Sequence, residues 1–184
     1  PAPPPPAPFP VPLGTAYHLS RHLGNRAYGG PGRVHPAAGG VGAAVAQICE
    51  AYWASLVVGT ASAPKREFVE SMGVRFVDRE VEDFVDVCKE MTEGKGVHHA
   101  IDPVGGSHVM RSYKALRRGG KLYYFGASAA VKGDKKSTLT ARRMWATKTR
   151  FAPLKMMSSN KAVFGSHRGL VDVESVLGGC TLNT

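Results

Sequence analysis

Ala37, Gly39 and Gly42 punctuate the run Ala37-Ala38-Gly39-Gly40-Val41-Gly42, directly before an apolar helical period. Residues this small at this spacing suit one kind of chemistry. Backbone without bulky side chains lets a phosphate come close, and a helix starting there offers it unpaired N–H groups and a partial positive charge. The run is a form of G-x-G-x-x-G in which Ala37 takes the first glycine position, Gly39 the second and Gly42 the third. In that fingerprint the second glycine admits a pyrophosphate and the third lets the helix pack tightly on its strand. A glycine-rich turn with no ligand is the plainer alternative, and the position at the head of a βαβ unit favours the dinucleotide.

A second position narrows the cofactor. Dinucleotide sites that take an unphosphorylated ribose place Asp or Glu about 20 residues past the loop, to accept from the 2′-OH. Counted from Gly39, that window holds Val58-Gly59-Thr60-Ala61-Ser62 and no acid, and Lys65 and Arg66 follow it. Cations there would attract a 2′-phosphate that a carboxylate would repel. Their plainer reading is a solvated helix start, although cations are disfavoured at that end of a helix. NADP(H) is therefore expected in preference to NAD.

These positions need strands and helices to hold them. Val41, Val45, Ile48 and Tyr52 share one face of a helix. Leu56-Val57-Val58 reads as a buried strand ending at Gly59, and Phe68, Val69 and Met72 as a helix closed by Gly73. Val74-Arg75-Phe76-Val77 is a further strand, and Val81, Phe84, Val85, Cys88 and Met91 mark a helix that stops near Gly94. His99-Ala100-Ile101 is the core of the next strand, before Asp102-Pro103-Val104-Gly105-Gly106. Val109, Tyr113 and Leu116 line a fourth helix, and Gly119-Gly120 turns into the strand Leu122-Tyr123-Tyr124-Phe125. The first strand is cut as well: Gly32-Arg33-Val34-His35-Pro36 leaves about three residues where five or six are usual. Alternating strands and helices predict an α/β fold with a doubly wound parallel sheet.

In this order, HPAAGGVG, GTAS-x-x-K, IDPVGG, LRRGGKLYYFGAS and NKAVFG resemble the Rossmann cofactor domain of medium-chain dehydrogenase/reductases over residues 11–172. The similar branch is the zinc-independent quinone oxidoreductase group, which includes the VAT-1-like proteins. The resemblance implies hydride transfer from NADPH to a small-molecule acceptor, a quinone or an activated enone. It places Ala38, Gly39, Gly40, Val41 and Gly42 at the pyrophosphate and Thr60, Ser62 and Lys65 around the 2′-phosphate. Phe125, Gly126 and Ser128 would approach the cofactor, and Phe164 and Gly165 match the loop near the nicotinamide. No catalytic residue is assigned. Two departures stand out. The family's N-terminal GroES-like catalytic domain is expected to be missing, with a proline-rich leader (1–12), the cofactor domain (13–175) and a tail (176–184) as the expected organisation. The expectation is thus a truncated protein, weakly active or inactive alone. The family's usual aromatic following an Asp after the third strand is also lost, with Val77-Asp78-Arg79 in its place.

Composition bounds the rest. The 184 residues suit one domain, and 43% hydrophobic with 21% charged residues is a globular balance. A net charge of +10 favours anionic partners. Its densest part runs through Lys132, Lys135, Lys136, Arg142, Arg143, Lys148, Arg150, Lys155 and Lys161, with Trp145 and Phe151 among them. Such a stretch could stack bases and neutralise phosphates, so a nucleic-acid-binding module is the rival reading, disfavoured against a solvated connection. A methyltransferase on the same topology is disfavoured by the missing acid after the second strand. The proline run 3–6 fits P-x-x-P, though a leader is the simpler account. Cys49, Cys88 and Cys180 form neither a disulfide framework nor a zinc lobe, which implies a reduced, cytoplasmic setting. No apolar run reaches the ~20 residues of a membrane helix. His18 and His22 have a metal-compatible spacing without a third ligand, and His98 is expected to point away from His99. No metal is expected; a homodimer is allowed. Asp78 and Asp102 read as turn or capping residues.

Overall fold

In the computed structural model the described residues are 16, 32–34, 37–52, 56–125, 131–132, 135–136 and 151–166. The leader 1–12, the tail 176–184, His18, His22, Gly126, Ser128, residues 142–150 and Cys180 lie outside them. Short apolar runs ending in small or turn residues become strands: β1 (Gly32–Val34), β2 (Val57–Ala61), β3 (Arg75–Asp78), β4 (Val97–Asp102) and β5 (Leu116–Tyr124). A two-stranded hairpin comes next, β6 (Val131–Lys132) with β7 (Lys135–Lys136), and then β8 (Ala162–Gly165). The 3.6-residue periods become α1 (Gly40–Tyr52), α2 (Arg66–Glu70), α3 (Phe84–Glu90), α4 (Ser107–Ala115) and α5 (Pro153–Ser159).

The six strands of the main sheet run β3-β2-β1-β4-β5-β8, all parallel. This is the doubly wound order expected from the sequence. The chain steps outward from β1 to β3 and then restarts at β4 on the other side, so the order reverses between β1 and β4. Ligands of such sheets lie beyond the carboxyl ends of the strands at that switch point.

Alternation along each strand sends side chains to two cores. Val57, Phe76, Ile101 and Tyr123 pack against Val45 and Ala46 of α1 and Val69 of α2. Val58, Val77, Ala100 and Leu122 pack on the other face with Phe84, Val85 and Cys88 of α3 and with Val109 and Tyr113 of α4. Burial on both faces is what a parallel sheet requires, and it explains the nearly unbroken apolar run of β2.

Four expectations are corrected. Leu116 opens β5 and does not line the fourth helix, which ends at Ala115. It pairs with Val97, and the next pair is His99 with Lys121, so the Gly119–Gly120 turn survives as a bulge inside the strand. The third helix begins at Phe84, not near Val81, because Asp83 caps it by accepting the Val85 N–H at 2.8 Å. Val81 is left 82% exposed on the preceding turn. The second helix ends at Glu70, so Met72 lies on the turn after it; Val69 and Met72 are buried, and Phe68 on the helix is 51% exposed. His98 and His99 do not simply diverge: beside the bulge their ring centroids lie 6.4 Å apart. His98 accepts from Arg117 at 2.7 Å, and His99 meets the Tyr123 hydroxyl at 3.3 Å.

One glycine of β2 fixes how close the layers come. A Cβ at Gly59 would stand 2.5 Å from Val74 Cγ1 and 2.6 Å from the Ala37 Cβ. Gly59→Ala is therefore expected to lower stability by about 1–3 kcal/mol, as overpacked sites do. Urea denaturation of the two chains measures it, and an unchanged midpoint contradicts the close approach.

Candidate dinucleotide site

The glycine turn is built onto β2. Ala37, fully buried, donates its N–H to the Thr60 carbonyl at 3.0 Å, which seats the turn between β1 and α1. Gly39 accepts the first helical bond, from Ala43 at 2.8 Å, so the N–H groups of the first turn of α1 lead outward from it. Gly40 is exposed, Ala38, Gly39 and Val41 are half-buried, and Gly42 is buried where the helix meets the sheet. No acidic residue stands in this first turn to compete for those donors. A small-residue turn opening onto a carboxylate-free helix start at the switch point fits a dinucleotide pyrophosphate.

The end of β2 stands next to this turn. Thr60 is fully buried, and its carbonyl serves the glycine turn. Ser62 is extended and half-buried, and its carbonyl accepts the Lys65 N–H at 2.9 Å as the chain turns through a short 3-10 segment, Ala63–Lys65. Lys65 is exposed. Arg66 is otherwise engaged, with its guanidinium 4.3 Å from the centre of the Phe76 ring and 3.3 Å from the Glu70 carboxylate. No acid occupies positions 56–65.

The far side of the switch point is held by a cluster of which the sequence pattern shows only a turn. Asp102, the last residue of β4, is fully buried. Its Oδ1 accepts the Val104 N–H at 2.8 Å and the Gly105 N–H at 3.3 Å, which is the expected turn. Its Oδ2 accepts from His108 Nδ1 at 2.7 Å and from Ser112 Oγ at 2.5 Å, both on α4. Burial alone would raise this carboxyl, but the bonds from His108, Ser112 and Val104 outweigh it and hold it well below the ordinary range. The three side chains are no nucleophilic triad, because Ser112 is fully buried and shares the same carboxylate oxygen with His108. The spacing of His108 and Ser112, i and i+4 on a helix after an Asp-ended strand, was the signal available in the sequence.

Phe125 comes directly after β5 and donates its N–H to the Asp102 carbonyl at 3.3 Å. On β8, Phe164 stacks on Tyr123 with ring centroids 5.6 Å apart, and Gly165 is exposed beside Tyr124. All these residues stand at the carboxyl ends of parallel strands, so the structure gathers residues 37–42, 62–65, 102, 125 and 164–165 along one edge of the sheet. Burial pushes the Cys49 thiol up to about 11, so it is no thiolate nucleophile near neutral pH. Of the basic stretch, Lys161 donates to the Tyr113 carbonyl at 3.1 Å, and Phe151 packs 5.3 Å from the Tyr113 ring, so both serve the fold. Among the described residues no three His, Cys, Asp or Glu side chains group to hold a metal ion, and no helix is long and apolar enough to cross a membrane.

The Asp102 cluster sets a pH dependence. Its folded pKa lies below the unfolded value of about 3.9. The bonded carboxylate therefore stabilises the fold above about pH 4, and that contribution fades as pH falls toward the folded pKa. Asp102→Asn is expected to cost about 1–3 kcal/mol at pH 7, with the difference shrinking below about pH 4. Denaturant unfolding from pH 7 to pH 2.5 checks both, and a gap that widens in acid contradicts the assignment.

The model of the zinc-binding dehydrogenase family matches residues 40–177. The human synaptic vesicle membrane protein VAT-1 homolog is 36% identical over 161 residues, covering 87% of this chain and 41% of that protein. The chain spans about two fifths of the length of the curated relatives it matches. The quinone oxidoreductase of Pseudomonas syringae pv. Tomato DC3000 superposes with a TM-score of 0.65 at 22% identity, over 90% of this chain and 45% of that one. A mycobacterial protein solved in complex with NADPH gives 0.67 at 22% identity, over 85% of this chain and 45% of that one. Identities this low carry the fold alone. The family match, the human relative and the strand order agree: the chain belongs to the zinc-binding dehydrogenase family of medium-chain dehydrogenase/reductases, in the VAT-1-like branch, and it is the cofactor-binding domain.

Proposed function

We propose that the chain, with residues 13–175 as its folded domain, binds NADPH for a quinone or enone oxidoreductase that works without zinc in the cytoplasm. The observation that carries this reading is the glycine turn at the switch point, next to a strand end that holds Lys65 and no carboxylate. Bound there, NADPH supplies a hydride. Backbone N–H groups over Ala38, Gly39, Gly40, Val41 and Gly42 would hold the pyrophosphate, and Ser62 and Lys65 the 2′-phosphate. Phe125, Phe164 and Gly165 would border the nicotinamide, together with Gly126 and Ser128.

Fluorescence titration tests the reading. NADPH is expected to bind the native chain about ten-fold or more tightly than NADH, since a charged phosphate contact is worth ~1.5–3 kcal/mol. Lys65→Glu should remove that advantage and leave NADH nearly unchanged. Equal affinities in the native chain would overturn the proposal.

Binding and turnover should separate. Hydride transfer needs the acceptor about 3–3.5 Å from the nicotinamide, and that positioning supplies ~7–11 kcal/mol of barrier lowering. The sheet edge forms one wall of such a cleft, and the matched relatives are more than twice as long as this chain. With 9,10-phenanthrenequinone as acceptor, the 184-residue chain by itself should oxidise NADPH well below ~1 s⁻¹, the low end of ordinary enzymes. Steady-state absorbance against a no-protein blank reads this, and faster turnover would show a complete site.

A further inference from the structure

We propose that Arg79 is a second cation of the 2′-phosphate subsite and, with Lys65, sets the preference for NADPH over NADH. The inference rests on the NADPH reading above and adds a residue to it.

The placement comes from strand pairing. β2 and β3 are paired from Val58–Arg75 to Ala61–Asp78. The Arg79 N–H donates to the Ala61 carbonyl at 3.1 Å, which carries the parallel ladder one step beyond the last pair. Arg79 thereby comes alongside Ser62, the residue whose carbonyl anchors the turn bearing Lys65. Two cations from adjacent strands thus leave the sheet at the same edge, next to a segment with no acid of its own.

The guanidinium is available. Arg79 Nε lies 2.9 Å from the Glu80 carboxylate, but both side chains are mostly in water, so the pair is screened and yields readily to a dianion. Arg66 offers less, because its guanidinium also stacks over the Phe76 ring, 4.3 Å from its centre. Two of the three acids around Arg79 are bonded to the backbone of the turn. Asp78 Oδ1 accepts the Glu80 N–H at 3.0 Å, and Glu82 accepts the Asp78 N–H at 2.9 Å. These bonds fold the turn over residues 78–82 and fix the path of the Arg79 backbone. A guanidinium presents a fork of donors that matches phosphate oxygens in pairs, which a lysine cannot do.

The test is a titration of native, Arg79→Ala and Arg79→Lys chains with NADPH and NADH, followed by nicotinamide fluorescence, with thermal melting alongside. Arg79→Ala is expected to weaken NADPH about ten-fold and to leave NADH within about two-fold, with Arg79→Lys recovering part of the loss. The melting temperature should hold, because the side chain is exposed. If the native chain prefers NADPH and Arg79→Ala still binds it equally well, the assignment of Arg79 falls and the NADPH reading stands. Equal weakening of both cofactors, with a lower melting temperature, makes Arg79 a structural residue and also overturns the assignment. A native chain without preference for NADPH overturns both.

Discussion

A central strand of three residues must carry the middle of the sheet. β1 pairs with β2 and with β4 through Gly32, Arg33 and Val34. The bond from the Ala37 N–H to the Thr60 carbonyl fastens the glycine turn beyond it to β2. That bond lets β2, a five-residue strand buried throughout, serve as the foundation for the turn. The direction of α1 and the position of its first N–H groups depend on where this turn sits. So does the gap between the glycine turn and the end of β2, because a carbonyl of β2 holds the turn directly.

Asp102 performs the matching task across the switch point. It binds the turn at Val104 and Gly105 with one oxygen and α4 with the other, while its backbone carbonyl receives Phe125 from the neighbouring strand. A charge buried this completely is tolerable because four donors converge on it and replace its water. The two sides of the site are thus fastened by different means. The glycine-turn side rests on a neutral backbone bond and close packing, and the α4 side on a charged cluster. Acid should therefore loosen one side before the other.

How much of this could be read from the residues alone depends on the range of the interaction. The doubly wound order, the glycine turn, the short β1 and the acid-free end of β2 are legible in local patterns: period, small residues and charge. The helix starts were less legible. Val81 fits the apolar period of α3 as well as Phe84 does, and only the Asp83 cap, with the turn over residues 78–82, decides between them. Leu116 likewise continues the period of α4, but pairing with Val97 claims it for β5. Such competition between a helical period and a strand partner is settled by contacts distant in sequence. The Asp102 cluster spans ten residues and was half legible, as a turn, because Val104 and Gly105 are close in the chain whereas Ser112 is near only in space.

Gly59 bears on how the sequence can drift. The space that its missing side chain leaves is shared by Ala37 and Val74 from two other segments, both within 2.6 Å of where a Cβ would stand. Three positions, 37, 59 and 74, therefore divide one fixed volume. A larger residue at any of them is admissible only after another has shrunk, and Ala37 and Gly59 have almost nothing left to give. Substitutions here should be non-additive in the manner of residues in direct contact. An alanine in the first place of the glycine fingerprint is thus admissible because a glycine faces it from the next strand, and the two should vary together wherever this packing is kept.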